Sequence, residues 1–380
     1  RLISFLSAQL SRQHRTFTFS LCFFGRLVRF LRFDNSGVVV SVEFNYIENP
    51  RVLAEFFWRY SHMLKAERGF DPCVVSATES ERKLLTTAVS QYLRHVNAGL
   101  AYQLPKMRTT LAMDYPAYKV TVVGEYTGRA ANYIIRKPFT DSRSAFGRGT
   151  RGYVALELDS NTSSANRDYL AKKLVFLKDA WRLSYPTMDK EALIYDVLQE
   201  KGVPHLPVVH HAGDVYSDFN VDKIPQTTVT QTWANTAQGW KRLKIILSTY
   251  VHHRTVQKLA FPLESISHAK QLVQVVRDAL ESESCLISAF LKIRRLHRDI
   301  STNNIMIQPS EDGDELRGIL NDWDVSTQEP DVNDPPTGSP RVGTWRFMSI
   351  NRLENPVKPH EIHDDLESVL WVMLYFCLRH

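Results

Sequence analysis

The stretch Leu296–Ile307, LHRDISTNNIMI, constrains this chain more than any other. His297, Arg298 and Asp299 are followed by Asn304, five residues after the aspartate, and the run closes on small apolar residues of strand character. One carboxylate and one amide therefore share a loop. A carboxylate so placed can accept a hydroxyl proton, and an amide oxygen on the same turn can hold a metal ion beside it. His-Arg-Asp by itself carries little weight, because any given tripeptide occurs by chance in a chain of this length on the order of a few per cent of the time. Its surroundings decide.

Fifteen residues past Asn304 begins Ile319–Val325, ILNDWDV, an apolar strand that ends in an acid, an aromatic and a second acid. Further on come Gly343–Met348, GTWRFM, and then Asp365-Leu366-Glu367-Ser368 on a strongly apolar run. In this order the chain resembles the fungal-type protein kinase family, whose members write the catalytic loop as HRDIS, the metal site as an acid-aromatic-acid triplet and the later loop as GTW-x-FM. The resemblance is strongest from about Ser142 onward and extends weakly before it. It implies an α+β, bilobal protein-kinase-like fold. The expected divisions are an N-terminal α+β extension over 1–116, a β-rich small lobe with insertions over 117–265, and a helical large lobe over 266–380. That lobe is expected to be incomplete, since the family's later helices do not follow the apolar run Val369–Cys377.

The nucleotide half is read first from its residues. Phe146–Leu156, FGRGTRGYVAL, contains Gly147, Gly149 and Gly152 and runs into alternating strand residues rather than a helix. That pattern argues against a dinucleotide fold and for a strand-loop-strand flap over phosphates, which backbone amides approach closely only where no Cβ intervenes. Leu174–Asp179, LVFLKD, ends an apolar strand in an ammonium, which costs desolvation unless an anion meets it. Glu191 on the helical segment KEALIYDVLQE is the candidate partner, in competition with Asp196 and Glu200.

The resemblance then implies roles. Lys178 clamps the α- and β-phosphates of ATP, Val154 packs on the adenine, Asn304 and Asp322 hold Mg2+, and Asp299 orients or deprotonates the acceptor hydroxyl. His297, Trp323 and Tyr195 would form an apolar column, with Asp365 bracing the catalytic loop. Several positions depart from the common protein-kinase pattern. Phe176 stands where a small residue usually lies under the adenine, Ser301 replaces the lysine two after the aspartate, Asp324 replaces a glycine, and Asn351 replaces a late acid. The expected function is a protein Ser/Thr kinase acting on a protein or peptide. A pseudokinase scaffold and a small-molecule phosphotransferase remain as alternatives, and the oligomeric state stays open.

The 380 residues suit two or three domains. A net charge of +6 is spread thinly, and Arg1, Arg12, Arg15, Arg26, Arg29 and Arg32 read as a solvated strand face rather than a nucleic-acid arm. Lys292, Arg294, Arg295 and Arg298 read as a basic cluster around a phosphate-bearing site. Cys22, Cys73, Cys285 and Cys377 are unpatterned and read as buried thiols of a reducing compartment. Phe17–Val28, broken by Arg26, is too short for a membrane span and has no cleavage pattern, so an intracellular protein is expected.

Along the chain, residues 15–46 alternate as a strand meander with Asp34-Asn35-Ser36-Gly37 as a turn. Asn49-Pro50 opens a helix that Gly69 stops, and Thr78 with Glu81 forms a capping box for a second. Strands follow at YKVTVVGEY and ANYIIRKPF, and again at Val208–His211 and Arg254–Leu259 around an insertion near 214–247. A long helix or helix pair is expected over His268–Ile293. Thr337 and Ser339 are candidate phosphorylation sites whose phosphate would pair with Arg298.

Overall fold

The computed structural model describes residues 2–95, 104–141, 144–162, 166–185, 188–217, 224–236, 247–266, 268–280, 285–309, 316–329, 342–355 and 357–379. Thr337 and Ser339 lie outside them. The chain is α+β, with helices packed around antiparallel sheets.

The largest sheet runs Val209–Asp214, Tyr250–Lys258, Leu174–Leu183, Arg151–Leu158, Ala130–Ile135, Tyr118–Val123 and Val74–Ser76, with Thr140–Asp141 paired beside Arg151–Leu158. Its register sets the site, because Lys178 lies opposite Gly152 on one side and Thr255 on the other, while Phe176 faces Val154 and Gln257. Six consecutive residues from Arg151 to Leu156 are buried, so both faces of the central strands are covered and no in-out alternation survives. One face packs Tyr153, Ala155, Val175, Leu177 and Val256 against Val120, Val122 and Tyr133. Against the other lie Leu85, Ala88 and Val89 of helix Glu79–His95 and Ile194, Tyr195 and Leu198 of helix Glu191–Glu200. The same apolar cluster continues through Leu272, Val275 and Val276, Leu286, Ile305, Leu320, Trp323 and Phe347 to Val369, Val372 and Phe376.

Helix Glu79–His95 begins at the expected capping box. The Thr78 amide donates to Glu81 Oε2 at 2.8 Å and the Glu81 amide to Thr78 Oγ1 at 3.3 Å, which satisfies two amides that a helix start leaves open. The 268–293 region is a helix pair, Ala269–Leu280 and Cys285–Ile293. Helix Pro50–His62 does start after Asn49, but it ends at His62 and a separate 3-10 turn precedes Gly69, whose φ of 88° terminates that turn. None of the helix's residues is fully buried; Phe56 stacks on Phe30 at 4.7 Å while Phe57 and Trp58 face outward.

Helix Leu2–Gln13 has no counterpart in the sequence reading and buries Leu6 and Leu10. After it the meander forms from Phe17–Phe24, Leu27–Asp34 and Gly37–Val40, with Asp34 paired to Gly37 across the turn. Asp34 is buried and accepts the amides of Val229 and Thr230, each at 3.0 Å, so the insertion folds back onto the first segment and starts helix Thr230–Thr236 there. Strand Val74–Ser76, from within 1–116, hydrogen-bonds to Tyr118–Val123 in the sheet that carries Lys178.

Three expectations are corrected. The early arginines are not a bare solvated face: Arg12 donates to the Tyr115 hydroxyl, Arg15 to the Arg68 carbonyl at 2.6 Å, Arg29 pairs with Glu43 and Arg32 with Asp34. Among the cysteines only Cys73 and Cys285 are buried, because Cys377 falls on the outer side of helix Ile362–Arg379, beside exposed Leu374 and Leu378 and away from Val369, Val372 and Phe376. The basic cluster is dispersed. Lys292 donates to the Gly202 carbonyl, Arg294 pairs with Glu329, Arg295 with Asp189, and Arg298 lies beside Arg352 and Asp365, since a chain leaving a helix through left-handed Arg294 points successive side chains apart. No helix among the described residues is long and apolar enough to cross a membrane.

Candidate active site

Strand Leu174–Leu183 and helix Glu191–Glu200 are held together by one ion pair. Lys178 Nζ donates to both carboxylate oxygens of Glu191 at 3.1 Å, and Thr255 Oγ1 donates to Glu191 Oε2 at 3.0 Å. Both charges are buried, Lys178 at 7% exposure and Glu191 at 3%. An isolated ammonium would lose its proton there. Here burial is outweighed by Asp322, Asp324 and Glu191, which hold Lys178 well above its usual value. Asp196 and Glu200 are both exposed, so of the three acids Glu191 alone meets the lysine.

Asp322 and Asp324 reach this pair from the turn after strand Leu316–Leu320. Lys178 Nζ donates to Asp322 Oδ1 at 2.7 Å and to Asp324 Oδ2 at 3.3 Å. Asp322 holds a φ of 65°, a left-handed conformation that aspartate tolerates better than most residues but that still costs about 1–3 kcal/mol. The surrounding bonds impose it: the Asp322 amide donates to the Tyr195 hydroxyl at 3.1 Å, and Trp323 is fully buried with its ring nitrogen on the Leu320 carbonyl. Although burial raises it, Asp322 is held well below the usual carboxylate range by Lys178 and Arg148. Asp324 is pushed up to about 7 by burial and by Asp322 beside it. Its Oδ1 is buried with no hydrogen-bond partner among the described residues.

The His297–Asn304 loop is positioned from the helix Ile362–Arg379. Buried Asp365 accepts the amides of His297 at 2.7 Å and Arg298 at 2.9 Å, which fixes the left-handed turn at Arg298, φ 71°. His297 stands edge-on to Trp323 at 4.7 Å and bonds the Asn321 carbonyl. Tyr195 joins this group through its hydroxyl, on Asn321 Oδ1 at 2.9 Å. The Asp299 carboxylate is oriented by Thr344, whose amide and hydroxyl donate to Oδ1 at 2.8 and 2.7 Å. Asn304 is buried and directs its Nδ2 to the Asp299 carbonyl at 2.7 Å, so its amide oxygen turns the other way. The Asn321 amide donates to the Asn304 carbonyl at 2.8 Å, which couples the loop to the acid turn.

Above lies the flap. Gly147 and Gly149 have φ values of 96° and 48°, where a side chain is strained. Gly152 is required for another reason: a Cβ there would lie 2.5 Å from Phe176 Cζ and from Thr140 Oγ1. The Phe176 ring thus fills room beneath the flap, next to buried Val154. The flap is also tied from behind, with the Gly147 amide donating to the Asn35 carbonyl at 2.7 Å and the Trp181 amide to the Arg148 carbonyl at 2.8 Å.

Two residues at this site escaped the sequence reading. Thr344 stands in the GTW run, which carried the resemblance without a role for its hydroxyl. Arg148, between two flap glycines, pairs with Asp324 and reaches Asp322 Oδ1 at 3.5 Å. Nothing in G-x-G spacing says where so long a side chain ends.

A bent glycine flap, a buried lysine-glutamate pair and a loop carrying aspartate and asparagine thus come together at one place. A family model described as fungal protein kinase matches residues 5–377, nearly the whole chain and well before Ser142, and the chain belongs to that family. No match was found among curated proteins.

Proposed function

We propose that the protein is a protein Ser/Thr kinase that transfers the γ-phosphoryl of ATP to a hydroxyl of a protein or peptide. The observation that carries this reading is the buried Lys178–Glu191 pair set 2.7 Å from Asp322, with the Asp299–Asn304 loop bonded to the same turn. In the reaction the acceptor oxygen bonds to the γ-phosphorus as the bond to the β-phosphate oxygen breaks, ADP leaves, and Asp299 receives the acceptor's proton. Thr344 holds the Asp299 carboxylate in one orientation for that task. Lys178 neutralises phosphate charge and Glu191 keeps it extended. The residues fit magnesium: ionised Asp322, the Asn304 amide oxygen and the unpartnered Asp324 Oδ1 are hard oxygen donors, and this ion is commonly held by one or two carboxylates plus substrate phosphates. When bound it would supply charge neutralisation to the transferring group. The expected lobes, 117–265 around the sheet and 266–380 around the helices, would then close on the nucleotide, with residues 1–116 packed against the sheet and adding its edge strand Val74–Ser76.

Asp299→Asn should leave magnesium-nucleotide affinity nearly unchanged and cut phosphoryl transfer by about two or more orders of magnitude, the scale of a positioned general base. Asp322→Asn should instead weaken the magnesium-dependent part of nucleotide binding, because it removes a formal charge facing a divalent ion. Lys178→Met should resemble the second. A second reading, a scaffold that keeps the fold without transfer, is favoured by the Phe176 ring beneath Gly152. If the parent binds nucleotide, transfers to no acceptor, and Asp299→Asn behaves identically to it, the scaffold reading replaces the first.

A further inference from the structure

Lys178 and Arg148 face Glu191, Asp322 and Asp324, so two cations meet three carboxylates in one cluster. The two cations are held differently. Lys178 is fixed on a central strand and donates to Glu191 through a contact independent of the acid turn. Arg148 stands on the flap, 29% exposed, flanked by left-handed glycines, and its guanidinium reaches Asp322 and Asp324 alone among the carboxylates it bonds. Its backbone is anchored through the Trp181 amide, so the side chain can move while the flap stays in place. Taking Arg148 away leaves Lys178 against three carboxylates, a net charge of −2 when all are ionised, which matches one divalent cation.

We infer that Arg148 is the resident counter-ion of the divalent-metal position: it pairs with the carboxylates of Asp322 and Asp324 until a metal binds, and yields them to the metal as its guanidinium turns to the phosphates under the flap. This rests on the reading of Asp322 as a metal ligand. A guanidinium in that place makes metal without nucleotide bind poorly, because each ion entering must displace a paired cation that gains nothing in exchange. With the nucleotide present the displaced arginine has an anionic partner, and Arg is well suited to phosphate oxygens. Metal and nucleotide then favour each other's binding through one side chain.

The test titrates Mn2+ into the full chain by electron paramagnetic resonance, without nucleotide and then with ADP, for the parent, Arg148→Gln and Arg148→Lys. Arg148→Gln should bind Mn2+ alone about tenfold more tightly, within the range of one coupling interaction. Its affinity gain on adding ADP should be smaller than the parent's by a similar factor. Arg148→Lys keeps a cation in the position and should stay near the parent in both. Arg148→Gln binding Mn2+ alone no better than the parent overturns the inference, as does an ADP-induced gain equal to the parent's. If Asp322→Asn leaves Mn2+ binding with ADP unchanged, the reading of the metal site has failed and the inference falls with it, a result the Arg148 variants alone would not give. Correct folding of each variant is checked by its unfolding midpoint, which substitution of a partly exposed flap side chain should move little.

Discussion

His14 stands in an unusual position: φ is 47°, the side chain is 4% exposed, its ring lies edge-on to Tyr118 at 4.7 Å and its Nδ1 is 4.0 Å from Asp179. Burial, then Arg151, pushes it down to about 3, while Asp179 and Asp71 oppose this and Arg254 adds to it. The folded state therefore holds it neutral. As pH falls below the usual histidine value of about 6.5, the unfolded chain takes up a proton that the folded chain refuses, so the stability owed to His14 is full above that pH and is lost towards 3. Replacing His14 with Asn, which tolerates the left-handed backbone, should make stability less dependent on pH between 7 and 5. The change in slope is bounded by about 1.4 kcal/mol per pH unit for one proton. Urea unfolding at the two pH values measures it, and an unaltered slope would mean that His14 takes up its proton in the folded protein just as in the unfolded one. No reading of the sequence reaches this residue, because its environment is assembled from Asp71 and from strands more than a hundred residues away.

At the scale of elements, local chemistry was legible and long reach was not. Thr78 with Glu81, and the Asp34–Gly37 turn, are signals written within four residues, and both formed where expected. That Lys178 needs an acidic partner was legible because a buried ammonium demands an anion, but the structure was required to choose Glu191 over Asp196 and Glu200. Arg148 could not be placed, because flap spacing is silent on where a side chain ends. Helix Leu2–Gln13 was hidden behind the strong alternation that follows it. Phe176 was legible as an anomaly, and its geometry now gives it a consequence. Flap and strand touch so closely that Gly152→Ala must displace both the Phe176 ring and Thr140, and with no left-handed φ at Gly152 the cost is purely steric. Overpacking of this kind costs about 1–3 kcal/mol. Phe176→Ala in the same chain should recover much of that loss, so the two substitutions are expected to be non-additive in a denaturation cycle. Additive effects would show that the ring already moves aside freely.

Across the whole molecule, the first segment is bound to the back of the site by buried charge. Arg254, fully buried on strand Tyr250–Lys258, pairs with Asp71, which also accepts from Gln226 at 2.9 Å and from the Cys73 amide. One residue away Thr255 bonds Glu191 on the opposite face of the same strand. Asp179 extends the network, taking Arg151 at 3.0 Å and His252, and Arg151 in turn reaches the Ser11 carbonyl. Removing Asp71 by Asp71→Ala leaves a buried guanidinium short of its counter-charge, a loss of about 3–5 kcal/mol. Adding Arg254→Met should restore most of it, as exchanging a whole buried pair for apolar groups is often near neutral. Guanidinium chloride midpoints of the single and double variants decide this, and a double variant as unstable as Asp71→Ala would mean that Arg254 owes its place to other partners. The same bond has a bearing on heredity. Asp71 and Arg254 are separated by 183 positions, yet neither can drift by itself without stranding the other. A lineage that exchanged the opening third of this gene for a relative's would inherit one half of a shared charge, so the opening segment and the strand that carries Arg254 are expected to diversify as a matched pair.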